Sequence, residues 1–173
     1  MAVETSSGLV VTLPSDLEIV MTRVFDAPRH FVFEAMTKPE HVAHWWGCIN
    51  AELPVCEIDF RVGGSWHYVM RMADGQDVSF RGVYREIVPP ERFVCTECYE
   101  EPKFGNPEWL TTVTLEDLGG KTKMTHTILH KSVEARNGHL QSGMEKGAGD
   151  SMERLAEVIK RMSQSMPRDP RID

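Results

Sequence analysis

Apolar residues recur along this chain at two spacings, and the change of spacing divides it. From Asp16 to Asp26, "DLEIVMTRVFD" is rich in Ile, Val, Thr and Phe and predicts a first strand. Pro28 then stands at a first-turn position, and Phe31, Val32, Ala35 and Met36 form a short helical stripe. Pro39 breaks and restarts the chain, so "PEHVAHWW" predicts a second short helix, stopped by Gly47. Beyond it, alternating runs are separated by turn signals: "ELPVCEIDF", "SWHYVMRMA", "DVSFRGVYREIV", "RFVCTECYE", "WLTTVTLED" and "TKMTHTILHK". With the first strand these make seven, and connections this short make neighbours antiparallel. From Ser132 onward the period becomes helical. Met144, Ala148, Ser151, Leu155, Val158, Ile159 and Met162 share a stripe with charged residues between them, which predicts a long C-terminal helix starting near Gln141 after a looser segment.

That order predicts an α+β fold in which a curved seven-strand antiparallel sheet wraps the C-terminal helix, two short helices following the first strand. A single domain is expected over residues 16–166, with flexible extensions at 1–15 and 167–173. Alternation places Trp66, Tyr68, Met70 and Met72 on one face of the third strand, and Phe80, Gly82 and Tyr84 on one face of the fourth. The sixth offers Trp109, Thr111, Val113 and Leu115, and the seventh Met124, His126 and Ile128. An aromatic wall with polar interruptions is what small-ligand pockets look like. Gly82, Gly143, Gly147 and Gly149 carry two readings: they open a cavity, or they let strand and helix approach closely.

Composition narrows the function classes. A chain of 173 residues is the size of one domain, and 41% apolar with 26% charged residues is ordinary for a soluble globular protein. The formal charge of −7 argues against a nucleic-acid partner, whose phosphates need Lys and Arg. No apolar run is long enough to insert in a membrane and the N-terminus has no basic start, so a cytoplasmic location is expected, with Cys48, Cys56, Cys95 and Cys98 as reduced thiols.

Motifs for chemistry are sparse. His41 and His44 lie three apart on a short helix but lack a third ligand, so no metal is expected. In "CTEC" strand alternation sends Cys95 and Cys98 to opposite faces, unlike a redox motif at a helix start. Ser65, Ser79, Ser142 and Ser151 stand in no GxSxG context, and no phosphate-cradling glycine pattern occurs, so no cofactor is expected. Glu97, His126, Arg136 and Glu145 remain as ionisable groups near the expected cavity. Burial disfavours the charged form of such a Glu or His, which makes His126 and Glu97 the candidates for a general acid or base. The bland reading gives His126 a hydrogen-bond partner on a neighbouring strand, or leaves these groups in solvent.

"RVFDAPRHFVFEAMTKPEHVAHWWG", "DFRVGGSWHYVMRMADG", "FRGVYREIVPPERFVCTE", "TVTLEDLGGKTKMTH" and "SGMEKGAGDSMERLAEVI" together resemble the bacterial proteins like the C-terminal domain of the activator of heat-shock protein 90 ATPase. That family belongs to the START-like (SRPBCC) superfamily, with the birch-pollen allergen, polyketide cyclases and lipid-transfer domains. The resemblance implies a helix-grip fold with the two short helices closing one end of a cavity. It leaves function open among hydrophobic-ligand binding, catalysis and action on a partner protein.

The leading expectation is a protein that binds a small hydrophobic or aromatic ligand between sheet and C-terminal helix. Its site would comprise Trp46, Trp66, Tyr68, Met70, Phe80, Tyr84, Trp109, Thr111, His126, Met144, Gly147, Ala148 and Ser151. Trp46 would line the mouth while Trp45 packs beneath. One alternative is a cyclase- or aldol-type enzyme using His126 or Glu97. Another is a co-chaperone-like stimulator of a heat-shock protein ATPase. A homodimer through the sheet edge or the short helices is compatible with the pattern.

Overall fold

The computed structural model describes residues 3–4 and 8–165. In chain order the strands are β1 (Val3–Glu4), β2 (Val10–Thr12), β3 (Glu18–Phe25), β4 (Glu52–Ile58), β5 (Ser65–Arg71), β6 (Asp77–Val88), β7 (Arg92–Tyr99), β8 (Glu108–Asp117) and β9 (Thr122–Leu129). The helices are α1 (Arg29–Thr37), α2 (Pro39–Trp45), α3 (Val133–Gln141) and α4 (Met144–Gln164). All nine strands form one antiparallel sheet in the order β1-β2-β3-β9-β8-β7-β6-β5-β4. The seven expected strands are β3 to β9. The sheet is a meander from β4 to β9, and β3 then adds beside β9, with Glu18 opposite Leu129 and Phe25 opposite Thr122.

Period-two alternation decides which face is buried. Along β8, Trp109, Thr111, Val113 and Leu115 are buried while their neighbours are half exposed. The 21-residue helix α4 buries Gly149, Ser151, Met152, Leu155, Val158 and Ile159, and its apolar stripe joins Val113, Leu115, Met124 and Ile128 in one core. Helices α1 and α2 share that core through Val32, Phe33, Met36, Val42 and Trp45. Between them Lys38 is extended, as the residue before Pro39 must be, and the Trp45 indole donates to the Ala35 carbonyl at 2.8 Å.

Two expectations are corrected. The flexible extension at 1–15 is instead part of the sheet from Val10, where β2 pairs with β3 and Leu9 and Val11 are buried. Three residues, "VVT", are too few to show a period, so only the partner strand reveals them. The tail at 167–173 lies outside the described residues. The looser segment after Ser132 is helix α3, capped where the Ser132 hydroxyl accepts from the Ala135 N–H at 3.1 Å. It buries only Arg136 and therefore carries no apolar stripe to read. Gly143, left-handed at φ 81°, separates α3 from α4. Ser132→Ala is expected to lower stability by about 1 kcal/mol, measured as a shift in the urea midpoint.

Candidate functional site

The register of β5 to β9 gathers most of the expected wall. Tyr68 faces Phe80 and Phe80 faces Tyr99; Glu97 faces Trp109, and Tyr84 faces Cys95, which faces Thr111. The β4–β6 side of this wall is filled. Trp66 and Tyr68 are 4% and 6% exposed with ring centroids 4.6 Å apart, and Met70 and Tyr84 are buried beside them. Gly82 is the reason Trp66 fits: a Cβ there would overlap the Thr96 carbonyl oxygen and the Trp66 indole. At this position the glycine serves close approach and opens no cavity.

A cavity of about 810 Å³ lies further along, between helix α3 and the β6–β8 part of the sheet. Phe80, Tyr99 and Trp109 form its floor, His130 and His139 one side, and Phe104 its outer edge; Glu134 and Gly138 stand on α3 beside it. Phe80 and Tyr99 stack with centroids 5.3 Å apart. Phe104, 64% exposed, sits on the short turn Pro102–Phe104 that Glu101 caps, and is 6.4 Å from Tyr99.

Of the residues expected to bind ligand, Phe80 and Trp109 line this cavity. Trp46 reaches it indirectly, packing edge-on against Tyr68 and Phe80 at 5.0 and 5.1 Å, while Trp45 is buried. Thr111 is buried and donates to the Glu97 carboxylate at 3.0 Å. Met144 and Ala148 pack against the core, Gly147 stands near Cys48, and the Ser151 hydroxyl donates to the Gly47 carbonyl at 2.7 Å. Gly147 and Ser151 set the helix against the chain that follows α2.

Among the described residues His126 has no hydrogen-bond partner on either ring nitrogen, which corrects the expectation of a cross-strand bond. Its strand neighbours explain this, because the residues opposite are Met21 and Val113. Burial depresses its pKa from 6.5 to about 4. Glu97 is half-buried, and desolvation of its carboxyl raises its pKa against the opposing pull of the Thr111 hydroxyl. The sheet does not bring the two together: Glu97 lies opposite Trp109 and His126 opposite Val113, with the inward position of Thr111 between them on β8. Arg136 is buried, with its guanidinium donating to the Ser15 carbonyl and the Asn137 side chain.

His130 and His139 are site residues that the sequence reading passed over. His130 continues the inward series Met124, His126, Ile128, so alternation alone could have placed it. His139 lies on α3, where no apolar stripe marks a helix in the sequence. His139 Nδ1 and His130 Nε2 are hydrogen-bonded at 3.1 Å, and both rings pack on Trp109, at 4.6 Å for His139 and 5.5 Å for His130. Burial lowers the pKa of both; that of His139 falls to about 4, with smaller contributions from His130 and His126.

Outside the cavity, His67 Nε2 lies 3.0 Å from Ser79 Oγ on the opposite face of the sheet. Ser79 donates its own proton to Glu100 at 2.5 Å, so His67 is the donor to Ser79 and does not activate it as a nucleophile. Among the described residues no three His, Cys, Asp or Glu side chains are placed to hold a metal ion. No helix of the described residues is long and apolar enough to cross a membrane.

The family described as Activator of Hsp90 ATPase homolog 1-like protein matches residues 26–160. The chain belongs to this family. The match runs from the end of β3 through the cavity-bearing strands and α3 into α4. Similar folds are seen in solved bacterial structures. A Chromobacterium violaceum protein is 27% identical with a TM-score of 0.71, covering 82% of this chain and 96% of its own. A Mycobacterium smegmatis protein is 23% identical with a TM-score of 0.79, covering 88% and 97%. A Silicibacter pomeroyi protein described as AHSA1 is 20% identical with a TM-score of 0.69, covering 84% and 99%. Among curated proteins nothing matches. The helix-grip architecture expected from the sequence is therefore that of the family, and β1 and β2 extend the sheet edge beyond the seven strands expected.

Proposed function

We propose that this protein binds a small apolar or aromatic ligand in the cavity between α3 and the β6–β8 sheet. The observation that carries the reading is the cavity itself: about 810 Å³, floored by Phe80, Tyr99 and Trp109 and edged by two histidines. Cavities of this size with aromatic walls and few polar groups suit a small ligand. Trp109 on the floor supplies the reporter.

Gly138 allows a clean test. It lies on α3 at the cavity, and a Cβ there meets nothing within 4 Å, so the position has room for a larger side chain. Gly138→Phe is expected to abolish the Trp fluorescence change that aromatic and lipid-like compounds produce, with helix content unchanged. Gly138→Ala should keep binding and gain about 0.5–1 kcal/mol of stability from helix propensity. Unaltered affinity in Gly138→Phe would move the ligand elsewhere.

The family description favours one rival of a different class, stimulation of a heat-shock protein ATPase. Adding the full chain to the host's Hsp90 homologue decides it: a rise in ATP turnover would displace ligand binding as the primary role.

A further inference from the structure

The cavity offers unusual hydrogen-bonding partners. Among the described residues that line it, Glu134 is the one with a formal charge at neutral pH, held ionised by its own backbone N–H and the Ser132 hydroxyl. The nearby cation, Arg136, is committed to Ser15 and Asn137 and is not part of the lining. The remaining recognition group is the His130–His139 pair. His130 is 3% exposed and its Nδ1 is buried with no partner among the described residues, out of a ligand's reach, so Nε2 of His139 is the nitrogen of the pair left to a ligand.

The bond between the two rings constrains what they present. In a neutral pair one ring must donate and the other accept. If His139 Nδ1 donates, His130 carries its proton on Nδ1 and His139 Nε2 is bare. If His130 Nε2 donates, His130 Nδ1 is bare and His139 carries its proton on Nε2. Either way the outer nitrogens comprise one donor and one acceptor, and their roles exchange together. A ligand hydroxyl both donates and accepts, so it matches Nε2 of His139 in either arrangement. A carboxylate can only accept, and it would enter a site whose fixed charge is already negative, at a desolvation cost that no lining cation offsets.

We propose that the His130–His139 pair selects neutral aromatic ligands bearing a hydroxyl group, phenols or enols, with the ring over Trp109 and the hydroxyl on Nε2 of His139. This rests on the cavity being the ligand site. A hydrogen bond that the hydroxyl completes with His139 in either tautomer of the pair accounts for the preference.

The test is equilibrium binding of naphthol, naphthoate and naphthalene to the full chain at neutral pH, followed by Trp fluorescence. Naphthol is expected to bind about tenfold or more tighter than either of the others. His139→Phe keeps a ring on Trp109 but removes the pair, so it should bring naphthol down to the affinity of naphthalene while naphthalene itself binds as before. Naphthoate binding as tightly as naphthol in the wild-type chain would overturn the proposal with the cavity reading intact, and needs no variant to fold. A naphthol preference that survives His139→Phe would overturn it too. Failure of all three compounds to bind would remove the cavity reading and the inference together.

Discussion

Acidification is expected to destabilise this protein steeply between pH 6.5 and about 4, through histidines that the fold keeps neutral. The His126 ring titrates at about 4 when folded and near 6.5 when free. Across that window the unfolded chain binds a proton that the folded one refuses, so stability falls as pH falls. For His126 alone the loss is about 3 kcal/mol by pH 4, an order-of-magnitude figure that follows from the size of the shift. His139, depressed to about 4 by burial and by the neighbouring histidines, adds in the same direction. Glu97 acts oppositely. Burial raises its pKa, so the folded state holds a proton above the ordinary carboxylate range, and stability is lost there as pH rises. Urea midpoints across this range should therefore drop toward acid in the wild type and drop visibly less in His126→Leu. Parallel curves for the two proteins would show that the ring at position 126 is not buried in its neutral form.

Gly82→Ala is expected to cost about 3 kcal/mol, the upper part of the range for forcing atoms into a filled core. The added methyl meets Thr96 and Trp66 from two sides, and the Thr96 contact is a backbone oxygen that moves only if β7 moves. Tyr84 and Cys95, paired one step further along β6 and β7, would shift with it. Loss should show as a lower urea midpoint together with altered Trp66 emission. Wild-type stability in Gly82→Ala would contradict the close contact between the indole and the strand.

How much of this was legible in the sequence depended on the kind of signal. Alternation in "SWHYVMRMA" and "WLTTVTLED" placed Trp66, Tyr68, Met70, Trp109 and Thr111 inward, and the structure buries all five. Alternation reports a face and is silent about what stands opposite it. Trp66 turns out to fill the space over Gly82, while Trp109 faces a cavity because α3 stands off from the sheet there. That distinction depends on distances between elements far apart in the chain. Helix α3 was invisible for a local reason: Asn137 and Gly138 are weak helix formers and no apolar stripe compensates. Its missing position concealed His139, and with it the pair that now defines the polar side of the cavity.

The pairing of β3 with β9 also bears on how the chain is made. Glu18–Phe25 leaves the ribosome early, yet its partner on the sheet interior, Thr122–Leu129, is among the last strands to emerge. Until then the apolar side chains of Ile19, Met21 and Phe25 have no sheet to bury against. Sheets closed by such non-local pairs form slowly and leave strand edges open to other chains meanwhile. For this protein the interval in which β3 lacks its inner partner falls during synthesis, before β9 arrives.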